Sequence, residues 1–300
     1  MQVILSKTNI HPIILPPKLY TDRFGNANAY IEMNPSLNID VHGNVKILVR
    51  MVNYKKYCNK QFTLYENYSN SVYVILIGKI EDNKMLDLDK FSVNDVKYNY
   101  NIPTYATYWK GMEDIRFIDS NSILVVVPEC NRQGNPSIFR AKIENNIIDS
   151  FAECKPNAIE KNWMPYINKD GNPYVIYSVY PFIIKNIEFD KFTEINISAE
   201  KGILLKGYNG STNGIQHNNK YLFLIHINKE KSYHRWLLVD LINCDISLSP
   251  EFVFFPHSYI EFPISLCDFN NRLFISVGIN DDKAFVIETT FDEVITSLSI

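Results

Sequence analysis

The chain has 300 residues, a length that one large all-β fold or an α/β barrel commonly fills as a single unit. Hydrophobic residues make up 46% of it and charged residues 21%, a balance typical of a packed globular protein, which excludes wholesale disorder. Thirty Lys and Arg stand against 33 Asp and Glu, a net charge of −3, so no excess positive field favours nucleic acid as a partner.

The cysteines and the N-terminal segment indicate the compartment. The five cysteines are scattered, odd in number and never in a CxxC pair, which predicts a reducing compartment and neither a disulfide framework nor a zinc site. Residues 1–17 lack the charged start and clean apolar core of a secretory signal. No apolar run approaches the roughly 20 residues needed to span a bilayer. We therefore expect a cytoplasmic protein that does not use a membrane as partner.

One pattern recurs five times along the chain. Each copy is a run of apolar and β-branched residues that follows a tight turn of Asn, Asp or Gly, and a second hairpin comes after it. The runs are 45–54, 122–130, 173–181, 220–228 and 272–280, and the second hairpins turn at 81–83, 144–146, 190–192, 242–244 and 291–293. Units of this kind, repeating at about 45 to 77 residues, predict an all-β fold: a five-bladed β-propeller with four antiparallel strands per blade.

The repeat also predicts the domain organisation. We expect one five-bladed propeller domain over residues 1–300. A β-sandwich or β-helix is the alternative, and the paired units suit it poorly. Helical periodicity is nearly absent, and residues 86–96 are interpreted as a strand and a loop. The expected blade boundaries are approximately 25–100, 101–155, 156–205, 206–255 and 256–300.

Polar residues recur at one end of the predicted blades. The first strand of each blade lines the channel, and its start lies at the same edge as the end of the second strand. These positions therefore converge from all five blades at one mouth. Charged residues of both signs gathered there are costly unless they are paired or used. The positions hold Asn34, Arg50, Asn53, Glu113, Asp114, Arg116, Glu160, Lys161, Asn162, Ser211, Asn213, His226, Glu261, Asn280 and Asp281.

Short motifs at these positions resemble a known family. Residues 111–116 (GMEDIR) resemble the Glu-Asp-Pro-Arg motif of five-bladed propeller enzymes that act on β-mannosides as phosphorylases, hydrolases and mannosyltransferases. Residues 160–163 (EKNW) are similar to the family's Glu-Lys-Asn motif. The resemblance covers all five blades in order. Its other matches are Asn34 with Pro35, Arg50, residues 225–226, residues 262–263 and residues 278–281.

The chain also departs from the family pattern. Ile115 replaces the motif proline, and Ile225 replaces a tyrosine associated with phosphate, which weakens the case for inorganic phosphate. Residues 260–267 (IEFPISLC) are closer to a subgroup found beside or fused to sugar-nucleotide glycosyltransferases. The resemblance therefore favours glycan synthesis over breakdown, with a glycosyltransferase as a partner.

The resemblance implies an enzyme that transfers or cleaves a β-linked hexose, mannose or a relative, with inversion. Inverting chemistry needs a group that protonates the leaving oxygen or deprotonates the acceptor hydroxyl, and we assign Asp114 to it. The alternative is that residues 113–116 form a surface turn with a local ion pair. The implied substrates are a sugar phosphate or nucleotide-sugar donor and a glycan acceptor, and related propellers often pair as homo-oligomers.

The remaining mouth residues are expected to bind the substrates. An anion cradle of phosphate-binding cations is one group, although each cation in it could instead pair with a channel carboxylate. Contacts to sugar hydroxyls are the other group, although lone polar residues at strand ends are often caps. The cradle comprises Arg50, Arg116, Lys161 and His226, the sugar contacts are Asn53, Asn213, Glu261 and Asp281, and Glu113 and Asn162 complete the substrate-binding set.

No motif predicts a metal or an organic cofactor. Asp87 and Asp89 have the Asp-x-Asp form of metal-dependent glycosyltransferases, but they fall in an outer hairpin and are interpreted as a solvated turn. A glycine-rich phosphate loop, an HExxH motif and a GxSxG elbow are all missing from the sequence. Because propellers host unrelated functions, a non-catalytic glycan-binding propeller that works with a glycosyltransferase is the alternative function.

Overall fold

The computed structural model describes residues 8–57, 61–81, 84–155, 159–187, 191–195 and 197–298. Five sheets of four or five strands, antiparallel except for the β10 and β11 pairings, make up most of this part of the chain, with two small two-stranded sheets beside them. This arrangement confirms the predicted five-bladed β-propeller.

The first strands and blade 1 lie in the N-terminal third of the chain. Three strands precede the blade: β1 (Asn9–Pro12), β2 (Leu19–Thr21) and β3 (Ala27–Ala29). Blade 1, with a small hairpin inserted into it, contains β4 (Ile31–Ile39), β5 (Asn44–Val52), β6 (Tyr54–Lys56), β7 (Phe62–Leu64), β8 (Ser69–Lys79) and β9 (Ser92–Asp95). Two short strands follow, β10 (Lys97–Tyr98), which pairs in blade 2, and β11 (Trp109–Lys110), which pairs with β8.

The other four blades follow in chain order. Blade 2 contains β12 (Glu113–Phe117), β13 (Ser122–Val126), β14 (Ile138–Glu144) and β15 (Ile147–Glu153). Blade 3 contains β16 (Met164–Ile167), β17 (Pro173–Ser178), β18 (Ile183–Asn186) and β19 (Lys191–Glu194). Blade 4 contains β20 (Asn209–Gly210), β21 (Ile215–His217), β22 (Lys220–Asn228), β23 (Ser232–Asp240) and β24 (Asp245–Leu248), and blade 5 contains β25 (Glu261–Phe269), β26 (Arg272–Ile279) and β27 (Lys283–Thr290).

The N-terminal strand closes the ring. β1 pairs antiparallel with β27, from Asn9 opposite Glu288 to Pro12 opposite Phe285, and so supplies the fourth strand of blade 5. Ile13 and Leu15 then enter the apolar core that blades 1 and 5 share. Burial of such side chains is the dominant favourable contribution to folding, so closure joins the two ends of the chain through the core.

Two expectations about local structure are wrong or incomplete. The predicted turn at 291–293 is instead the start of helix α2 (Phe291–Thr296), whose first turn is capped because the Thr290 side chain accepts a hydrogen bond from the Glu293 amide. A second helix, α1 (Ala199–Ile203), was not expected. The predicted turns at 81–83 and 190–192 include residues 82–83 and 190, which lie outside the described part of the chain. In the described ranges, no helix has both the length and the apolar character needed to cross a bilayer.

Candidate functional site at the channel mouth

Residues from all five blades line a cavity of about 610 Å³ at one end of the channel. This volume falls within the range of about 300 to 1,000 Å³ that is usual for ligand sites. The expected residues in the lining are Asn34, Arg50, Glu113, Asp114, Lys161, Asn162, His226, Glu261 and Asp281. The predicted convergence of distant polar residues on one mouth is therefore present in the structure.

Left-handed backbone at the start of the innermost strands directs side chains into the mouth. Asn34, Asp114 and Asn162 have φ angles of 45°, 48° and 62° at equivalent positions of blades 1, 2 and 3. In blades 1 and 2 the strand pairing shifts register at this point. A bulge re-aims a side chain, and Asn and Asp tolerate left-handed backbone better than other non-glycine residues. The residue types at these three positions thus fit the backbone they must adopt.

Asp114 is held by groups from blade 1. Its Oδ1 accepts a hydrogen bond of 3.1 Å from Asn34 Nδ2 and lies 3.7 Å from Arg50 Nη1. Gly278 of blade 5 permits this position of Asn34, because a Cβ on Gly278 would lie 2.2 Å from Asn34 Oδ1. The Asp114 side chain keeps about a fifth of its surface exposed, at 19%. It is therefore oriented by the protein yet open to a ligand.

Arg50 is paired with carboxylates of the channel. Its Nη2 lies 2.7 Å from Glu113 Oε1, and its Nε donates to Ser71 Oγ at 2.9 Å. Burial by itself would lower the pKa of Arg50, but the charge of Glu113 raises it above its usual value. The structure thus matches the alternative of local pairing for Arg50, and its main contacts are internal.

Arg116 and His226 form a buried network behind the cavity. Arg116 Nε donates to the Ser211 carbonyl at 2.5 Å, and Ser211 Oγ lies 2.7 Å from His226 Nδ1. Burial is also the main cause that lowers the pKa of Arg116. Arg116 does not line the cavity, and its guanidinium lies 5.7 Å from the centre of the Phe262 ring. Of the two, only His226 reaches the cavity.

His226 is uncharged at neutral pH. Burial lowers its pKa to about 3, and the nearby charges of His234 and Arg116 act in the same direction. His226 can therefore offer a ligand a hydrogen bond but no positive charge. In the predicted anion cradle His226 would therefore act as a hydrogen-bonding group and not as a cation.

The burial of His226 makes stability depend on pH. His226 has a pKa near 6.5 in the unfolded chain but only about 3 in the folded chain. The contribution of the neutral His226 ring to the free energy of unfolding is therefore complete above pH 6.5 and is lost as the pH falls toward 3. Between pH 7 and 5 we expect His226 to account for a loss of about 2 kcal/mol in the free energy of unfolding. Urea unfolding at both pH values measures it. His226→Gln should flatten the dependence, the exposed-residue control His257→Gln should keep it, and equal slopes in all three proteins would contradict the assignment.

Lys161 is the cation of the mouth that remains available. It is exposed, lines the cavity, and has no charged or hydrogen-bonding partner in the part of the chain that the structure describes. Its neighbour Asn162 contacts blade 4, where a Cβ on Gly210 would lie 2.2 Å from the Asn162 carbonyl oxygen. Since Asn209 pairs with His226, Lys161 and His226 share the side of the cavity between blades 3 and 4.

Asp281 is paired with Lys56, a residue that was not predicted from the sequence to belong to the site. Lys56 Nζ of the inserted hairpin lies 2.7 Å from Asp281 Oδ2. Asp281 has a φ angle of 56° in the turn after β26. This ion pair links blade 5 to the hairpin of blade 1 across the mouth.

Two predicted sugar contacts are used inside the fold instead. Asn53 accepts a hydrogen bond from the Asn70 amide at 2.7 Å and donates to the Tyr68 carbonyl at 3.2 Å. Asn213 bonds both the amide and the carbonyl of Leu266, at 2.9 and 2.8 Å, and so joins blade 4 to blade 5. Neither asparagine lines the cavity. Their amides satisfy backbone groups at blade edges, which is the alternative that lone polar residues at strand ends allow.

Glu261 lines the cavity but is fully engaged by the protein. Its oxygens accept hydrogen bonds from the Phe254 and Phe255 amides at 2.8 and 2.7 Å, from Ser258, and from His234 at 3.1 Å. Burial would raise the pKa of Glu261, but these hydrogen bonds and the charge of His234 lower it below its usual value. Its contacts make Glu261 a structural anchor of the mouth.

Several residues of the cavity lining were not selected from the sequence. Among them, Tyr54 and Lys56 come from the inserted hairpin and Trp109 from β11. For Tyr54 and Lys56 the signal in the sequence was the unusual length of the first unit, which leaves residues 53–68 between its second and third strands. An insertion at the mouth end of a blade is expected to carry ligand contacts, because loops positioned by a rigid scaffold often do so.

Asp87 and Asp89 of the Asp-x-Asp motif lie in a short turn outside the cavity lining. Asp87 pairs with Lys90 at 2.8 Å, and Asp89 lies in a short 3₁₀ turn over Leu88–Lys90. In the described ranges no group of three or more His, Cys, Asp and Glu side chains could hold a metal ion. The interpretation of this segment as a solvated turn agrees with its position outside the cavity.

Comparison with known proteins finds similarity to solved structures only. No protein-family profile and no curated protein matches the sequence. The β-1,2-mannobiose phosphorylase from Listeria innocua, in complex with β-1,2-mannobiose, aligns with a TM-score of 0.62 and 14% identity over 97% of this chain and 99% of that chain. The chain has the fold of this mannoside phosphorylase.

Further solved structures share this phosphorylase fold. A putative glycosidase from Bacteroides thetaiotaomicron aligns with a TM-score of 0.61 and 12% identity, covering 94% of this chain and 97% of its own. A third solved structure is that of a protein from the GH130 family of mannoside phosphorylases, a family that contains glycoside hydrolases that target β-1,2 mannosidic linkages in Candida mannan. It aligns with a TM-score of 0.60 and 10% identity over 96% of this chain and 95% of that one. The resemblance to β-mannoside propeller enzymes is confirmed for the fold.

Proposed function

We propose that this protein is a carbohydrate-active enzyme that transfers or cleaves a β-linked hexose, mannose or a close relative, with inversion. The observation that carries the proposal is the state of the four carboxylates in the cavity lining. Glu113 is paired with Arg50, Asp281 with Lys56, and Glu261 is saturated by hydrogen bonds. Asp114 accepts a hydrogen bond from the Asn34 amide, its ion-pair distance to Arg50 is longer at 3.7 Å, and its side chain is the most exposed of the four at 19%. These features favour Asp114 as the single acid or base.

The proposed chemistry uses a second substrate in place of a second carboxylate. In the degradative direction Asp114 gives its proton to the glycosidic oxygen, an oxygen of inorganic phosphate forms a bond to C1 from the opposite face, and the C1–O bond to the glycan breaks. The products are an α-linked sugar phosphate and a glycan shortened by one residue. In the synthetic direction Asp114 takes the proton of the acceptor hydroxyl, the acceptor oxygen forms a bond to C1, and the C1–O bond to the phosphate group breaks so that the phosphate group leaves.

Lys161 is the proposed charge for the phosphate group. Arg50 and Lys56 already pair with carboxylates, and the lowered pKa of His226 keeps it neutral. Lys161 has no partner within the described residues and lines the same side of the cavity as His226, so we propose that an ammonium and a neutral ring contact the same anion. Lysine contacts phosphate oxygens as a point charge, which suits an exposed and movable side chain.

Lys161→Met should raise the KM for the phosphate-bearing substrate at least about tenfold, because one charge-assisted contact is lost. The melting temperature should not change, since the side chain is exposed. Steady-state kinetics at varied phosphate or sugar phosphate measures the effect. Lys169→Met is the matched control, because Lys169 is exposed in the same blade but lies in the turn between β16 and β17, away from the mouth. An unchanged KM in Lys161→Met would contradict the assignment.

A donor screen tests the proposed function. Thermal shift is measured with hexose 1-phosphates and with nucleotide sugars, and turnover is measured with β-1,2-mannobiose in the presence and absence of inorganic phosphate. A ligand that binds only the native state raises the melting temperature by mass action. Stabilisation by a sugar phosphate with phosphate-dependent turnover supports a phosphorylase, and stabilisation by a nucleotide sugar with transfer to a glycan supports a transferase. Glycan binding without turnover of any donor would overturn the proposal and favour the non-catalytic alternative.

A further inference from the structure

Aromatic side chains form one wall of the cavity and continue beyond it. We call Tyr54, Tyr68, Tyr108 and Trp109 the aromatic wall. The Trp109 ring meets the Tyr54 ring at 6.2 Å and the Tyr108 ring at 5.7 Å, both edge to face, and Lys110 Nζ lies 3.9 Å from the centre of the Tyr68 ring. Tyr54 and Trp109 line the cavity, whereas Tyr108 lies outside its lining. The aromatic surface therefore leads from the site outward.

The wall is held in place by backbone contacts. β11 pairs in parallel with β8, with Trp109 opposite Ser69, and the Tyr108 carbonyl accepts a hydrogen bond of 2.9 Å from the Ser69 amide. Gly111 ends this segment with a φ angle of 80°, and a Cβ there would lie 2.2 Å from the Ser71 carbonyl oxygen. A wall fixed in this way loses little freedom when a ligand binds, which is the condition for efficient recognition.

The wall stays exposed although it is large and apolar. Trp109 keeps 36% and Tyr108 keeps 49% of its surface accessible. Exposed aromatic surface that continues a ligand cavity marks a binding groove. The cavity lining also contains charged residues close to the wall along the chain, since Lys56 follows Tyr54 and Glu113 follows Trp109 within a few positions. The aromatic wall therefore adjoins the charged groups of the site.

We infer that the aromatic wall binds additional sugar residues of the glycan, so that the preferred substrate is a chain of three or more sugars. This inference rests on the proposed function and names its substrate class. Pyranose rings have an apolar C–H face and a polar edge, and Trp and Tyr rings combine an apolar face with a polar group in the same way. The occupant is the glycan because the wall continues directly from the cavity in which the reacting sugar would lie.

The affinity for glycans of increasing length tests the inference. The probes are β-1,2-linked manno-oligosaccharides of two to five residues, and the dissociation constants are measured by calorimetry in the presence and absence of the phosphate-bearing substrate. In the native protein we expect the tetrasaccharide to bind roughly tenfold more tightly than the disaccharide, from stacking of added sugars. Trp109→Ala should bring this affinity ratio close to one, and Trp109→Phe should keep it between that of Trp109→Ala and that of the native protein.

Variants elsewhere on the surface separate a local effect from a general one. Tyr108 lies outside the cavity lining. Tyr108→Ala should therefore lower the ratio of tetrasaccharide to disaccharide affinity but should weaken disaccharide binding less than Trp109→Ala does. Phe24→Ala is the control, because Phe24 is 67% exposed at the turn between β2 and β3 and does not line the cavity. A native affinity that is independent of chain length, or a ratio unchanged in Trp109→Ala, would overturn the inference. If the disaccharide is turned over but affinity does not increase with glycan length, the inference fails and the proposed function stands. If affinity increases with glycan length but no glycan is turned over, the proposed function fails and glycan binding by the aromatic wall stands.

Discussion

Asp114→Asn should lower kcat by about 10²- to 10⁴-fold, the usual contribution of a general acid or base. Asparagine has nearly the same shape and tolerates the left-handed backbone of this position, where φ is 48°. Its side-chain oxygen can still accept the hydrogen bond from Asn34. The substitution therefore removes the proton-transfer group while it keeps the local geometry. Turnover of the disaccharide, with circular dichroism for the fold, measures the effect.

The matched control is Asp119→Asn. Asp119 belongs to the same hairpin of blade 2 but lies in the turn at its opposite end, where its Oδ1 accepts hydrogen bonds from the Asn121 and Ser122 amides. We expect the control to keep both activity and melting temperature. Retained turnover in Asp114→Asn would remove Asp114 from the proposed role, and the four cavity carboxylates would have to be reconsidered.

Glu113→Leu should lower the free energy of unfolding by about 3 kcal/mol, because it leaves a buried arginine without its closest partner. Only 5% of the Arg50 side chain is exposed, and after the substitution its remaining carboxylate contact is Asp114 at 3.7 Å. Removal of one partner of a buried ion pair is costly, whereas replacement of both partners by apolar groups often is not. Urea unfolding at neutral pH measures the loss.

The double variant Arg50→Met with Glu113→Leu separates the two contributions. If the buried unpaired charge causes the loss, the double variant should recover most of the stability that Glu113→Leu alone removes. If the double variant stays about as unstable as Glu113→Leu alone, loss of the ion pair itself, and not a buried unpaired charge, causes the destabilisation. A loss below about 1 kcal/mol in Glu113→Leu would contradict the interpretation of Arg50 as a buried and paired cation.

The blades and much of the mouth are predictable because both follow from periodic signals. Alternating apolar runs with tight turns predict strands wherever they occur, and five repeats of them predict a ring. In a ring of blades the ends of the inner strands must converge, so the repeat alone predicts that Asp114, Lys161, His226 and Asp281 meet at one mouth. Repetition makes these distant residues predictable neighbours.

Other features depend on contacts that local patterns do not encode. β1 pairs with β27 across nearly the whole chain, and a four-residue strand carries no signal for so distant a partner. Asn53 and Asn213 have the residue type of sugar contacts, but their side chains instead form hydrogen bonds with nearby backbone amides and carbonyls. Trp109 belongs to a two-residue strand whose parallel pairing with β8 brings it to the cavity. In each case tertiary contacts decide the role of the residue.

The anomeric configuration of the first product tests the central claim most directly. With β-1,2-mannobiose and inorganic phosphate, proton and phosphorus NMR during the first turnovers report the configuration at C1 of the transferred sugar. Attack opposite to the bond that breaks, with one carboxylate for proton transfer, predicts an α-linked sugar phosphate as the initial product, and its formation should disappear in Asp114→Asn. An initial β-linked product would require a covalent intermediate on a second carboxylate, and it would contradict the account.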